Sequence, residues 1–487
     1  MNLNNVPFLP TIIQGGMGVG VSDWRLARAV SSAGQLGVVS GTALDVVLAR
    51  RLQTGDVGGH MRRALDQFPI PGVAARILKR YFSPDGRPAG VPFKSKPMPS
   101  ENPSRAAIEL LIASNFVEVF LAREGHDAPV GINLLEKIQV PTLPSLYGAM
   151  LAGVGVVLMG AGIPRAIPGA LDHLARGESV ELALDVHGGG PGQSFVTRFD
   201  PASVWPAGST PPTSLGRPDF YAIVSSATLA GVLAKRSSGR VDGFIVEGPV
   251  AGGHNAPPRG PLHLSNEGEP IYGDRDTVDL AAIESLGLPF WLAGSYASAE
   301  RVAEARQLGA VGVQVGTAFA YCDESGLEDT IKARVLALSR AGEARVFTSP
   351  VASPTGFPLK VLPLAGTRAD PDSPPRAERV CDLGYLRHAY KKEDGTIGWR
   401  CPAEPVADYV AKGGKETDTH GRVCVCNGLI ASIGLGQANG AQDELPLVTS
   451  GDDVTDIARF LKSGDASYPA SRVLSELLKG ATKTPVA

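Results

Sequence analysis

Charge of one sign is scarce in this sequence. Its 46 Lys and Arg nearly balance 49 Asp and Glu, leaving a formal charge of −3, and no basic run is long enough to track a line of phosphates. Nucleic acid is therefore not an expected partner. Long apolar runs are missing as well. Stretches such as Ala149 to Val157 are broken by glycine and fall short of the roughly 20 residues a membrane helix needs, so no membrane span is expected. Met1 to Gln14 shows no basic segment before an apolar core and cleavage site. No secretory signal is read there, and the expected compartment is the cytoplasm. Cysteine is sparse, five in 487 residues, which argues against the dense disulfide framework of small extracellular domains.

What is present is a globular composition, 43% hydrophobic and 20% charged, enough for one large core and an appended region. Short apolar runs rich in β-branched residues, each followed by a helix-like segment, mark parallel strands buried on both faces. Eight stand out: Thr11 to Gln14, Leu36 to Ser40, Val130 to Leu134, Gly155 to Met159, Tyr221 to Ser225, Gly243 to Glu247, Phe290 to Ala293 and Gly312 to Val315. Helices are read at Ser22 to Ala33, Ala227 to Lys235 and Ser298 to Leu308 from three- and four-residue apolar spacing. Eight strands in β/α alternation predict a TIM (β/α)8 barrel. The competing doubly wound sheet lacks its G-x-G-x-x-G turn, since Gly15, Gly16, Gly18 and Gly20 do not fit that spacing.

Two segments interrupt the rhythm as insertions into βα connections. Residues 53–103 are read as helices and loops over the barrel mouth, and 181–218 as a small hairpin. The character changes again near residue 346, where Pro-rich sequence begins. The expected organisation is a barrel over 1–345 and a helical and loop extension over 346–487 that packs on it.

In such a barrel the active site lies where the strands end. The first strand ends in Gly15, Gly16 and Met17, the third in Asn133, and the sixth leads to Gly252, Gly253 and His254. The seventh ends in Ala293, Gly294 and Ser295, and the eighth in Gly316 and Thr317. Any one glycine can simply turn the chain; together they favour a ligand lying against the backbone. The last two ends are the usual phosphate site of the fold, where N–H groups and the following helix termini face an anion. An FMN-type monophosphate fits, and so does a sugar phosphate. His254 is the catalytic candidate, because its ordinary pKa near 6.5 suits proton transfer at neutral pH. Glu247 is the other titratable group at that strand end.

The motifs IIQGGM at Ile12 to Met17, AGGH at Ala251 to His254, LAG at Leu292 to Gly294 and VQVGT at Val313 to Thr317 resemble the FMN-dependent nitronate monooxygenases, formerly 2-nitropropane dioxygenases, over roughly residues 8 to 345. The resemblance implies non-covalent FMN and places His254 beside the flavin as base or hydrogen-bonding group. It also implies that Gly16 and Met17 contact the isoalloxazine, that Asn133 hydrogen-bonds it, and that the LAGS and VGT turns hold the phosphate. Departures point to another branch. Gly15, Gly16 and Met17 stand where many relatives have A-P-M, and Asn255, Ala256, Pro257 and Pro258 follow the histidine. With Thr317 to Leu327 (TAFAYCDESGL) and Ser353 to Lys360 (SPTGFPLK), they resemble the flavin enoyl reductases of polyunsaturated fatty acid and polyketide synthesis.

Three functions follow. The first is oxidation of alkyl nitronates with O2. The second is NAD(P)H-dependent reduction of an enoyl chain, for which a carrier protein is an expected partner class without a patch to support it. The third, from another class, is a non-redox phosphate-ligand barrel or a non-catalytic flavin-binding component. Cys381, Cys401, Cys424 and Cys426 fall within 46 residues of one another. Their number would suit zinc or an iron–sulfur cluster, but their spacing does not match C-x2-C knuckles, and the reading is of structural thiols with no assigned metal ligand.

Overall fold

Strands this short and apolar have no solvent-facing side, so each must be flanked by two others. The computed structural model, which describes residues 8–190, 193–372, 379–439 and 442–481, meets that need with a closed ring. Its strands are β1 (Ile12–Gln14), β2 (Gly37–Ser40), β3 (Val130–Leu135), β4 (Val156–Gly160), β5 (Asp219–Val224), β6 (Gly243–Glu247), β7 (Phe290–Ala293) and β8 (Gly312–Val315). The order is β1-β8-β7-β6-β5-β4-β3-β2 and every pairing is parallel. An isolated parallel bridge, Ile13 to Leu36, joins the two ends. There the Gln14 N–H donates to the Leu36 carbonyl at 2.9 Å and the Leu36 N–H to that of Ile12 at 3.1 Å. The fold is a TIM barrel.

The barrel interior is solid. Ile13, Val38, Leu158, Tyr221, Ile245 and Trp291 form its own apolar cluster, with the Tyr221 and Trp291 rings stacked at 4.8 Å. Trp291 Nε1 donates to the Pro10 carbonyl at 2.7 Å and so satisfies its one polar atom. Outside, the helix Trp24–Ser32 is started by Asp23, whose side chain accepts from the N–H groups of Arg25 and Leu26. Arg51 binds both Asp23 (3.2 Å) and Glu118 (2.8 Å), tying that terminus to the long helix Arg105–Arg123.

The first insertion forms short helices, His60–Leu65 and Val73–Tyr81, followed by loop. In the second, Val180–Ala183 pairs antiparallel with Val196–Phe199. A pairing without a signal in the sequence follows: Val186–His187 runs parallel to His388–Lys391, far along the chain. Beyond residue 346 the chain contains strands besides helices and loops. Phe347–Ser349 pairs with Leu359–Val361, and His388–Lys391 with Ile397–Arg400. These strands of three or four residues are too short to leave an alternation that can be read. No helix among the described residues is long and apolar enough to cross a membrane.

Candidate active site

Because every strand runs the same way, the residues that end them face one mouth. Gly15, Gly16, Met17, Asn133, Gly252, Gly253, His254, Ala293, Gly294, Ser295, Gly316 and Thr317 all line a single cavity of about 240 Å³ there. Its backbone is shaped by close approaches. A Cβ on Gly16 would stand 2.4 Å from the Cβ of Asn133, and one on Gly252 would stand 2.7 Å from the backbone nitrogen of Gly451. Glycine is therefore demanded at both places by a neighbour.

The turn after β7 holds Gly294 and Ser295 in consecutive left-handed conformations, φ 99° and 56°. The latter is uncommon for a side chain other than glycine. The helix dipoles expected to assist here contribute less than the sequence suggested. The helix after β8 is a single turn, Thr317–Ala320. The one after β7 begins only at Ala299, with its cap Ser298 accepting the Arg301 N–H. An anion at this corner would therefore be met by backbone N–H groups of the turns rather than by helix dipoles. The Thr317 hydroxyl accepts the Gly451 N–H at 3.0 Å.

Asn133 donates through Nδ2 to the Gly16 carbonyl at 3.1 Å, yet its Oδ1 is buried without a partner, and so is the Oε1 of Gln314 on β8. Two orphaned acceptors in one apolar-walled cavity call for donors from a ligand. A flavin ring, with N–H donors on a flat apolar body, fits this demand and the glycine-faced strand ends on either side. Gln314 lies within VQVGT, and a polar residue inside an otherwise apolar strand is the signal that marks it. Gln14 carries the same signal for another reason: its side chain joins Ser22 Oγ (2.9 Å) and the Val38 N–H (3.1 Å), a strap between strands.

His254 follows two glycines, and its short strand Gly253–His254 pairs antiparallel with Leu359–Val361. Its Nε2 lies 2.7 Å from Ser353 Oγ, which lies 2.8 Å from Thr355 Oγ1. Burial, with a smaller effect from the Lys137 charge, pushes His254 down to about 4. It is a neutral imidazole at pH 7. Burial alone pushes Glu247 up to about 7. The wall opposite the barrel comes from the extension: Leu386, Val425, Leu429 and Leu447, with Ser450 and Gly451 near the phosphate corner. None of these carried a motif, because their contribution depends on where a distant segment folds back.

Cys426 lines the cavity too. Burial holds Cys401 and Cys424 up at about 12, so in the absence of a metal they are thiols at neutral pH. Among the described residues no three His, Cys, Asp or Glu side chains are placed to hold one metal ion.

With this geometry in hand, comparison with known proteins is informative. Residues 218–354 match the nitronate monooxygenase family model. That stretch runs from β5 through His254 and both phosphate-corner turns to the first strand of the extension, and the family is the one its motifs resemble. A probable nitronate monooxygenase of Staphylococcus haemolyticus (strain JCSC1435) is 31% identical over 115 residues, 23% of this chain and 30% of that protein. Another, of Bacillus subtilis (strain 168), is 33% identical over 119 residues, 24% and 32% respectively. The match thus spans about a third of the curated relatives' length. Among solved structures, FabK from Thermotoga maritima aligns with TM-score 0.48 at 16% identity, over 97% of this chain and 92% of that one. A nitroalkane oxidase from Streptomyces ansochromogenes aligns at 0.44 and 17%, over 97% of each chain.

Proposed function

We propose that this protein is an FMN-dependent oxidoreductase that oxidises alkyl nitronates with O2. The observation that carries the proposal is the convergence of neutral His254 with the orphaned acceptors of Asn133 and Gln314 in one cavity. FMN bound there supplies electron exchange with the substrate. The chain supplies the setting. Asn133 and Gln314 offer acceptors to ring N–H groups, and the backbone at Gly294, Ser295 and Gly316 offers donors to the phosphate. His254, at about 4, is a weak base. It suits a substrate that is already an anion, such as a nitronate, better than a neutral nitroalkane from which a proton must be taken. The Lys137 cation acts on the same region and favours a negative substrate there.

A second reading is NAD(P)H-dependent reduction of an enoyl chain. It is favoured by one observation, the apolar wall of Leu386, Val425, Leu429 and Leu447, which suits a hydrocarbon chain more than a small nitronate. In that reaction a carbon next to the carbonyl must receive a proton. Glu247, at about 7, is about half protonated at neutral pH and is the acid to supply it.

Anaerobic stopped-flow absorbance of FMN-loaded protein separates the two. Bleaching by an alkyl nitronate and not by NADH or NADPH supports the first reading, whereas bleaching by a nicotinamide alone moves the assignment to the second. Protein that is colourless and takes up no added FMN removes both and leaves the non-redox barrel.

A further inference from the structure

A second cavity of about 240 Å³ lies against the first, and Ile138, Tyr385 and Leu386 line both. These three side chains form their common boundary. Tyr385 in that layer is held by a hydrogen bond from its hydroxyl to Asp45, which is itself paired with Lys96 at 2.8 Å. The second cavity is built from four separate parts of the chain: Pro99 of the first insertion, Lys137 beyond β3, His187 of the second insertion, and Arg387 with Trp399 of the extension.

Its chemistry differs from that of the flavin cavity. Lys137 Nζ sits 3.2 Å from the Phe357 ring centre and donates to the Thr355 carbonyl at 3.4 Å. Arg387 spends its donors on the carbonyls of Gly384 and Pro99 and lies over Trp399. Neither cation is in direct contact with a carboxylate through these bonds. Asp185 stands at the exposed rim, and Glu136 is next to Lys137 in the chain. The rings of His187 and His388 stack with centroids 5.9 Å apart and planes 4° from parallel, and both line the same cavity as the cations. Carboxylates act on both cations through space, Glu136 and Asp185 on Lys137 and Glu404 on Arg387, but none is a hydrogen-bond partner in the contacts above, so charge and stacking surface are offered together to a phosphate attached to a planar base. From Lys137 the contacts run through Thr355 and Ser353 to His254, so the site adjoins the reacting end.

We propose that this second cavity holds the diphosphate of an adenine-nucleotide handle, with Lys137 and Arg387 as its anchors, while the reactive end of the same molecule enters the flavin cavity past Ile138 and Leu386. Two sources share that chemistry, a nicotinamide dinucleotide and a coenzyme A thioester. The proposal builds on the oxidoreductase reading but not on which substrate is oxidised or reduced.

The test uses FMN-loaded full-length protein and three probes: NADPH, octenoyl-coenzyme A, and octenoyl-N-acetylcysteamine, which has the same acyl chain without phosphate. In the wild type, inorganic pyrophosphate competes with whichever phosphate-bearing probe binds. In the Lys137→Gln/Arg387→Gln variant that probe weakens at least about tenfold more than the N-acetylcysteamine thioester does, while flavin content is unaffected. Weakening of NADPH alone identifies the reductant as the occupant, and weakening of the coenzyme A thioester alone identifies the acyl donor. The proposal is overturned if neither phosphate-bearing probe binds the wild type, if pyrophosphate fails to compete, or if the variant binds both as before. Should the variant not fold, pyrophosphate competition in the wild type decides. Nitronate bleaching, measured separately, tests the oxidase reading on its own.

Discussion

The Nε2 of His254 lies 2.7 Å from the Oγ of Ser353, a residue 99 positions later in the chain. The ring that faces the flavin cavity is thus oriented by a hydroxyl from outside the eight strands. Ser353→Ala is expected to lower kcat about tenfold without changing flavin content. It should also shift the acid limb of the pH profile, a readout that loss of stability alone would not move. His254→Ala should cost about 10²–10⁴ in kcat. Normal turnover by that variant with every accepted substrate would sink the assignment.

Stability should depend on pH through the same residue. His254 is pushed down to about 4 by burial, so between pH 6.5 and 4 the unfolded chain takes up a proton that the folded one refuses. The stability associated with neutral His254 is fully present above pH 6.5 and is lost as pH falls toward 4, about 2 kcal/mol of it by pH 5. His388, also pushed down to about 4 by burial, acts in the same direction. Urea unfolding at pH 7 and pH 5 measures this, and His254→Asn should remove its share of the difference, about 2 kcal/mol, leaving that of His388.

Glu247 should govern a different limb. It is raised to about 7, and its replacement by Gln is expected to remove an ionisation near pH 7 from the rate profile of the enoyl reaction. If the limb persists in the variant, another group supplies the proton.

Gly16→Ala should damage flavin binding more than folding. The added Cβ falls 2.4 Å from the Asn133 Cβ, so the Asn133 side chain must move from the cavity edge. Flavin fluorescence titration should show affinity reduced about tenfold or more, with Asn133→Ala and Gln314→Ala reduced less. Unchanged affinity in all three variants would place the flavin elsewhere.

Asp45 is expected to matter for stability. It pairs with Lys96 at 2.8 Å, both side chains being 5% exposed, and also accepts the Tyr385 hydroxyl. Asp45→Ala leaves a buried ammonium uncompensated and should cost about 3–5 kcal/mol, read from urea midpoints. The Asp45→Ala/Lys96→Met double variant should recover much of that loss.

The barrel was legible because parallel strands buried on both faces leave concentrated apolar runs. All eight appear within about two residues of their expected limits, as with Tyr221 to Ser225 against Asp219–Val224. The glycine-rich strand ends were legible for a related reason, since a backbone that others must approach cannot carry side chains. What was hidden depends on contacts across long stretches of chain. Ser353 opens the SPTGFPLK run, but its place beside His254 is set only when Leu359–Val361 pairs with Gly253–His254. Leu429 and Leu447 look like any core leucines until the extension folds over the mouth. Lys137 and Arg387 reveal a shared cavity only after two insertions and the extension meet.

Gly252 and Gly451 approach so closely that a single methyl group would not fit between them. During synthesis, the strands that carry the cavity floor leave the ribosome well before the segment that becomes its wall. A chain lacking that late segment would have an open basin in place of an enclosed cavity, so closure of the cavity depends on a contact between two residues that have no side chains.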